Sequence, residues 1–126
     1  MNVKNLAIAS FIGMTSVMIG AFGEHFLDIT NPKIGKSFHT GLRYHQIYSV
    51  VLLALSLSYL NCKNNYKSLI ESSFNYFLLG ITLFTGSIYL NVFFNLKFMI
   101  YVTPFGGITL ILSWLYLVVR AYRFKE

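Results

Sequence analysis

Apolar positions run in four long blocks, and polar positions gather between them. Residues 5–23, 44–62, 72–96 and 98–119 hold no Asp, Glu, Lys or Arg. Crossing a hydrocarbon core takes about 20 apolar residues in a helix. Strands of a membrane barrel would alternate over about 10 residues. The blocks here are unbroken and about twice that length, so the pattern predicts helices. It places spans at residues 5–26, 38–60, 72–94 and 98–120 of one all-α domain covering residues 1–126. The connections expected between them are residues 28–36, with Asn31-Pro32 and Gly35 as breakers, residues 61–66, and a tight turn at 95–97. Short connections make neighbours antiparallel, which gives an integral membrane four-helix bundle, up-down-up-down.

Within each block the smaller and more polar residues recur at helical spacing. Ala9, Gly13, Ser16 and Gly20 share a face, as do His45, Ser49, Leu52, Ser56 and Tyr59. Asn75, Thr82, Gly86 and Tyr89 form the expected stripe of the third helix, and Thr103, Gly106, Gly107, Leu110 and Ser113 that of the fourth. Lipid tails give helices little hydrophobic reason to associate, so close packing of small residues carries much of the contact. Bundle packing is therefore the first meaning of these stripes, ahead of a conduction path. Pro104 fits the first turn of a helix; a helix beginning at Phe98 would instead be kinked by it. The many tyrosines are expected as interface anchors, and Trp114 either as another or as a residue nearer the middle of its span.

Composition agrees with lipid contact. Charged residues make up 11% of the chain and hydrophobic ones 56%, against about 25% charged in soluble domains. The net charge of +6 would point to nucleic acid in a soluble protein. Here the basic residues sit at span ends, so membrane lipids are the expected partners and nucleic acid is not. Lys4, Lys63, Lys67, Arg120, Arg123 and Lys125 would share one side, against Lys33, Lys36, Arg43 and Lys97 on the other. That bias places both termini in the cytoplasm. A competing reading takes residues 4–23 as a signal peptide, cut after Ala21-Phe22-Gly23. Cys62 is the one cysteine and forms no internal disulfide.

Candidate chemistry gathers where the first two spans meet. Glu24, His25 and Asp28 close one, and His39, Arg43 and His45 open the other. Ionisable groups in spans are costly and raise a functional question. Glu24 follows Gly20 by four residues and is expected to face the bundle, paired with Arg43 or His45. A structural ion pair or hydrogen-bond network is the preferred reading. A proton or ion pathway through Glu24 and His45 is second, and a metal site third, because no HxxxH or similar ligand spacing occurs. No Gly-x-Ser-x-Gly frame is present. No metal, cofactor or enzymatic activity is expected.

The chain resembles a known family at four segments. They are Gly20-Ala21-Phe22-Gly23 with His25 and Leu27; Phe38 with Thr40-Gly41 and Tyr44; residues 83–89, which include Gly86 and Tyr89; and Val102-Thr103-Pro104-Phe105-Gly106-Gly107 with Trp114. In this order they look like the domain-of-unknown-function 423 family, the YgdD/YwdK-like small membrane proteins. The resemblance implies a small four-helix protein of the bacterial inner membrane and supplies no activity. Two departures stand out. The family usually has a small residue where this chain has Glu24, and a His where it has Tyr48. A role for Glu24 or His45 is therefore not inherited. His25, Tyr44, Tyr89 and residues 103–107 match the pattern. The expected function is a structural or interaction protein, with self-association expected from the small-residue stripes and the small size. The alternatives are a small transporter, channel or proton-coupled carrier, and a lipid-headgroup-binding protein using the basic, aromatic rim.

Overall fold

The computed structural model describes residues 3–27 and 31–124, and it is helical with no strand among the described residues. Helix α1 (Val3–Phe22) ends in a 3-10 turn (Gly23–Phe26). Helices α2 (Pro32–Asn61) and α3 (Asn64–Phe94) follow, then a second 3-10 turn (Lys97–Tyr101) and α4 (Thr103–Arg123).

Local chemistry sets the boundaries. The Asn31 side chain accepts a hydrogen bond from the Lys33 amide at 3.0 Å, and Pro32 occupies the first turn. Asparagine caps the free amides and proline has no amide to leave unpaired. The expected loop over residues 28–36 is thus shorter, because α2 begins at Pro32 rather than at residue 38. Helix α3 also begins early, at Asn64 instead of residue 72, leaving Cys62 and Lys63 as the link. It ends where Asn95 turns left-handed (φ 57°) and the Leu96 amide reaches back to the Leu90 carbonyl at 3.4 Å. The second 3-10 turn then takes residues 97–101, so Pro104 falls in the first turn of α4 and kinks nothing.

Among the described residues three segments are long and apolar enough to cross a membrane: Val3–Phe26, Asn64–Phe94 and Lys97–Arg123, each with a window of mean hydropathy 1.8. Four were expected. Helix α2 falls short because His45, Gln46, Ser49 and Ser56 interrupt its apolar run, and its first turns are charged. Three of those four polar residues are buried: His45, Ser49 and Ser56. From Ile47 onward its large exposed side chains are Ile47, Val50, Leu57 and Leu60.

The helices pack in chain order, α1 on α2, α2 on α3, and α3 on α4. Gly20 lies against Leu42 and Gly13 against Ser49, so the α1 stripe faces α2. The α2 stripe is buried at His45, Ser49, Leu52 and Ser56, and the α4 stripe at Gly106, Leu110 and Ser113. The stripe expected on α3 is not its packing face. Asn75 and Thr82 are exposed, and nothing lies within 4 Å of a side chain added at Gly86. Helix α3 is sandwiched between α2 and α4, so it buries two faces, built from Phe74, Phe77, Gly80, Ile81, Ser87 and Ile88. Of the expected α3 stripe, Tyr89 is the member that reaches a neighbour, through its hydrogen bond to His45.

The α3–α4 contact is the closest approach. A Cβ on Gly106 would strike the Phe84 backbone, 2.6 Å from its Cα, and one on Gly80 would lie 3.1 Å from the Leu110 amide nitrogen. Ser87 and Thr103 share a hydrogen bond of 2.6 Å on the same seam, and Phe77 meets the Trp114 ring edge-on. Residue numbers fall along α3 as they rise along α4, so one register joins all four pairs. Gly106→Ala should therefore lower stability in detergent by about 1–3 kcal/mol, as overpacking does. Gly86→Ala should leave it unchanged or raise it by about 0.5–1 kcal/mol, from reduced chain entropy. Thermal unfolding of both variants checks this; equal losses would contradict the assigned seam.

Candidate functional site

The expected ionisable cluster separates into an exposed part and a buried part. Glu24 and His25 lie in the 3-10 turn and are exposed, as is Arg43. Asp28 lies outside the described residues, as does Lys125. Glu24 Oε1 is 3.1 Å from His39 Nε2, with both side chains about half exposed (49% and 58%). The expected pairing of Glu24 with Arg43 or His45 is thus replaced by one with His39. The cause is the end of α1 at Phe22. A 3-10 turn rotates about 120° per residue instead of 100°, so the four-residue step from Gly20 no longer returns to the packing face. Gly23 takes the inward position instead, where an added Cβ would lie 2.7 Å from the Phe38 ring.

His45 sits midway along α2 and is buried. Its Nε2 lies 2.9 Å from the Ile12 carbonyl oxygen on α1 and 3.2 Å from Thr15 Oγ1. A carbonyl only accepts, so Nε2 carries the proton. Nδ1 is then the acceptor, and the Tyr89 hydroxyl on α3, 2.9 Å away, donates to it. Both ring nitrogens are satisfied in the neutral form. Thr15 in turn donates to the Ile12 carbonyl at 2.8 Å. One imidazole on α2 thereby joins α1 to α3. A second tie crosses one turn further along α2, where the Trp114 indole N–H donates to the Tyr48 hydroxyl at 2.9 Å. Trp114 stands midway along α4, so of its two expected places it takes the one nearer the middle, as a link between helices and not an interface anchor.

Positions of the family-like motifs fall mostly at close contacts. Gly41 receives the Ile88 side chain, 2.9 Å from an added Cβ, and Tyr44 packs against Phe84 and stacks on Tyr48. Gly107 lies 3.8 Å from the Phe84 ring on the same measure. Phe22 and Pro104 point outward. Gly86 borders a cleft of about 200 Å³ between α1 and α3, beside His45 and Tyr89. Among the described residues no three His, Cys, Asp or Glu side chains come together as metal ligands. Sequence reasoning missed Thr15 and the Ile12 carbonyl. A backbone acceptor leaves no mark in the sequence, and Thr15 stands one place off the small stripe.

Three helical segments of membrane-spanning length and hydropathy, packed on a fourth helix, define a helical membrane protein. The chain belongs to the family described as Protein of unknown function (DUF423), whose pattern matches residues 19–107. It is 32% identical to a UPF0382 membrane protein of Haemophilus influenzae, over 100% of this chain and 99% of that one. It is 30% identical to the UPF0382 inner membrane protein YgdD of Escherichia coli K12, over 96% of this chain and 91% of the relative. The Bacillus subtilis membrane protein YwdK is 28% identical over 94% and 96% of the two chains. No solved structure matches. The family has no assigned activity.

The exposed Glu24–His39 pair makes a direct prediction. Glu24→Gln should change unfolding stability by no more than about 0.5 kcal/mol, as at other exposed sites. A loss well above 1 kcal/mol in a denaturation series would mean that Glu24 serves a buried contact.

Proposed function

We propose that this protein is a non-enzymatic structural or interaction protein of the bacterial cytoplasmic membrane, crossing it four times with both termini inside. The carrying observation is the filled interior. Leu52, Phe74 and Phe77 are fully enclosed and Ile81 nearly so, and they occupy the middle of the helix contacts. A conducting pathway needs polar groups spread along its length. Here the buried hydroxyls of Ser16, Ser49, Ser56, Thr85 and Ser113 are each bonded back to a carbonyl of their own helix. These five are satisfied locally; Ser87 bonds to Thr103 on the α3–α4 seam and Ser73 has no partner, so the hydroxyls form no relay along the bundle.

The fourth crossing is α2. Its polar residues reduce its hydropathy, yet protein rather than lipid surrounds His45, Ser49 and Ser56. Polar side chains are tolerated at membrane depth under that condition. The basic residues divide between the two ends, which favours lipid headgroups over nucleic acid as partners. Association with a second copy would use the lipid-facing sides of α1 and α4, because the small stripes of both are occupied within the chain.

Cys62 tests the topology. It is a free thiol in the link between α2 and α3, partly accessible. A membrane-impermeant maleimide should label it in inside-out vesicles and not in intact spheroplasts. Labelling in intact spheroplasts would reverse the orientation. For the function class, protein reconstituted in liposomes with an enclosed pH dye should show no proton flux above protein-free vesicles. Flux that His45→Leu abolishes would establish a carrier instead.

A further inference from the structure

At the end where α2 begins and α3 finishes, a groove opens between these helices and the second 3-10 turn. Its wider part, about 620 Å³, is bordered by Asn31, Lys33, Asn95 and Lys97. Its narrower part, about 340 Å³, continues past Lys36 to Phe84, Ile88 and Pro104. Ser37, Asn91 and Ile100 line both parts, so the two are continuous. Each volume falls within the range of about 300–1,000 Å³ usual for small-molecule sites.

The lining changes from polar to apolar along α3 and from charged to uncharged along α2, and Phe26, Leu27, Ile34 and Val92 add apolar surface to the wider part. On α3 it passes from Asn95 through Asn91 to Ile88 and Phe84, at helical steps of 4, 3 and 4. On the following segment it passes from Lys97 through Ile100 to Thr103 and Pro104. On α2 it passes from Lys33 and Lys36 through Ser37 to Thr40. Three lysines stand on the groove, and its described lining includes no Asp or Glu. Of the two carboxylates in the connection between α1 and α2, Glu24 is directed to His39 and Asp28 lies outside the described residues. A cationic mouth over an apolar floor, at the end of helices of membrane-spanning length, matches a molecule with an anionic head and a hydrocarbon tail.

We propose that this groove is a binding site for an anionic phospholipid. Lys33 and Lys97 hold the headgroup phosphate, with Asn31, Asn91 and Asn95 as hydrogen-bond donors, and one acyl chain lies along Ile100, Ile88 and Phe84. The lysine stems cover the apolar rim while their ammonium groups stay at headgroup level. The site goes beyond the structural role proposed above and does not depend on it: a protein that conducts could equally bind lipid here.

Native mass spectrometry of the detergent-purified full chain, mixed with equal phosphatidylglycerol and phosphatidylcholine, tests the assignment. Wild type should retain phosphatidylglycerol preferentially. Lys33→Gln with Lys97→Gln should reduce that preference by about tenfold or more, since each lysine near an anionic headgroup contributes about fivefold. Lys63→Gln with Arg123→Gln, at the opposite end, should leave it intact. These are exposed positions, and circular dichroism melting should show both variants folded as wild type. Equal retention of the two lipids by wild type would overturn the proposal, as would a preference that survives loss of Lys33 and Lys97. Displacement of the lipid by millimolar-range inorganic phosphate alone would also overturn it, by identifying a simple anion site without an acyl floor.

Discussion

A buried imidazole has two polar nitrogens that need partners, and the fold is arranged around satisfying both. His45 gives its Nε2 proton to the Ile12 carbonyl and accepts the Tyr89 hydroxyl at Nδ1. An unsatisfied polar group in such surroundings costs several kcal/mol. Each bond is modest by itself, about 1 kcal/mol net, but the two lie on opposite neighbours of α2. Moving α1 or α3 away from α2 therefore leaves a buried donor or acceptor unpaired. The same logic makes α2 the helix that is poorest in hydropathy yet placed between partners. Its polar residues are the ones the neighbours enclose.

The other half of the fold depends on shape instead. Helix α4 approaches α3 backbone to backbone because Gly106 and Gly80 present no side chain at the crossing. Lipid supplies no hydrophobic drive for this contact, so van der Waals packing and the Ser87–Thr103 hydrogen bond hold it. The Trp114–Tyr48 bond then connects this seam to α2, one turn along from His45. Two kinds of contact thus divide the work: polar ties fix α1, α2 and α3 to each other, and close glycine packing seats α4.

Much of this was legible in the chain before its structure. Long uncharged blocks announced the helices, and periodicity placed the buried faces of α1, α2 and α4 through residues such as Ala9, Ser49 and Leu110. Periodicity failed on α3, where Gly86 opens on a cleft and the contact with α4 is made at Gly80, on a face that the polar stripe does not mark. The site was legible only in part. His45 was singled out as inward-facing, and Tyr89 through the family resemblance, but neither the spacing nor the motif joined the two. Glu24 was assigned inward on α-helical spacing that stops two residues before it, at the 3-10 turn. Helix starts at Pro32 and Asn64 were placed late because charged first turns read as loop, although Asn31-Pro32 is a capping sequence.

The tautomer of His45 tests the account most directly. Nitrogen-15 NMR of the full chain in micelles, with labelled histidine, distinguishes the two ring nitrogens. The account predicts a protonated Nε2 and an unprotonated, hydrogen-bonded Nδ1, with the Nδ1 signal shifting in Tyr89→Phe while Nε2 keeps its proton. A ring protonated at Nδ1, or a Nδ1 signal indifferent to Tyr89→Phe, would contradict the three-helix tie.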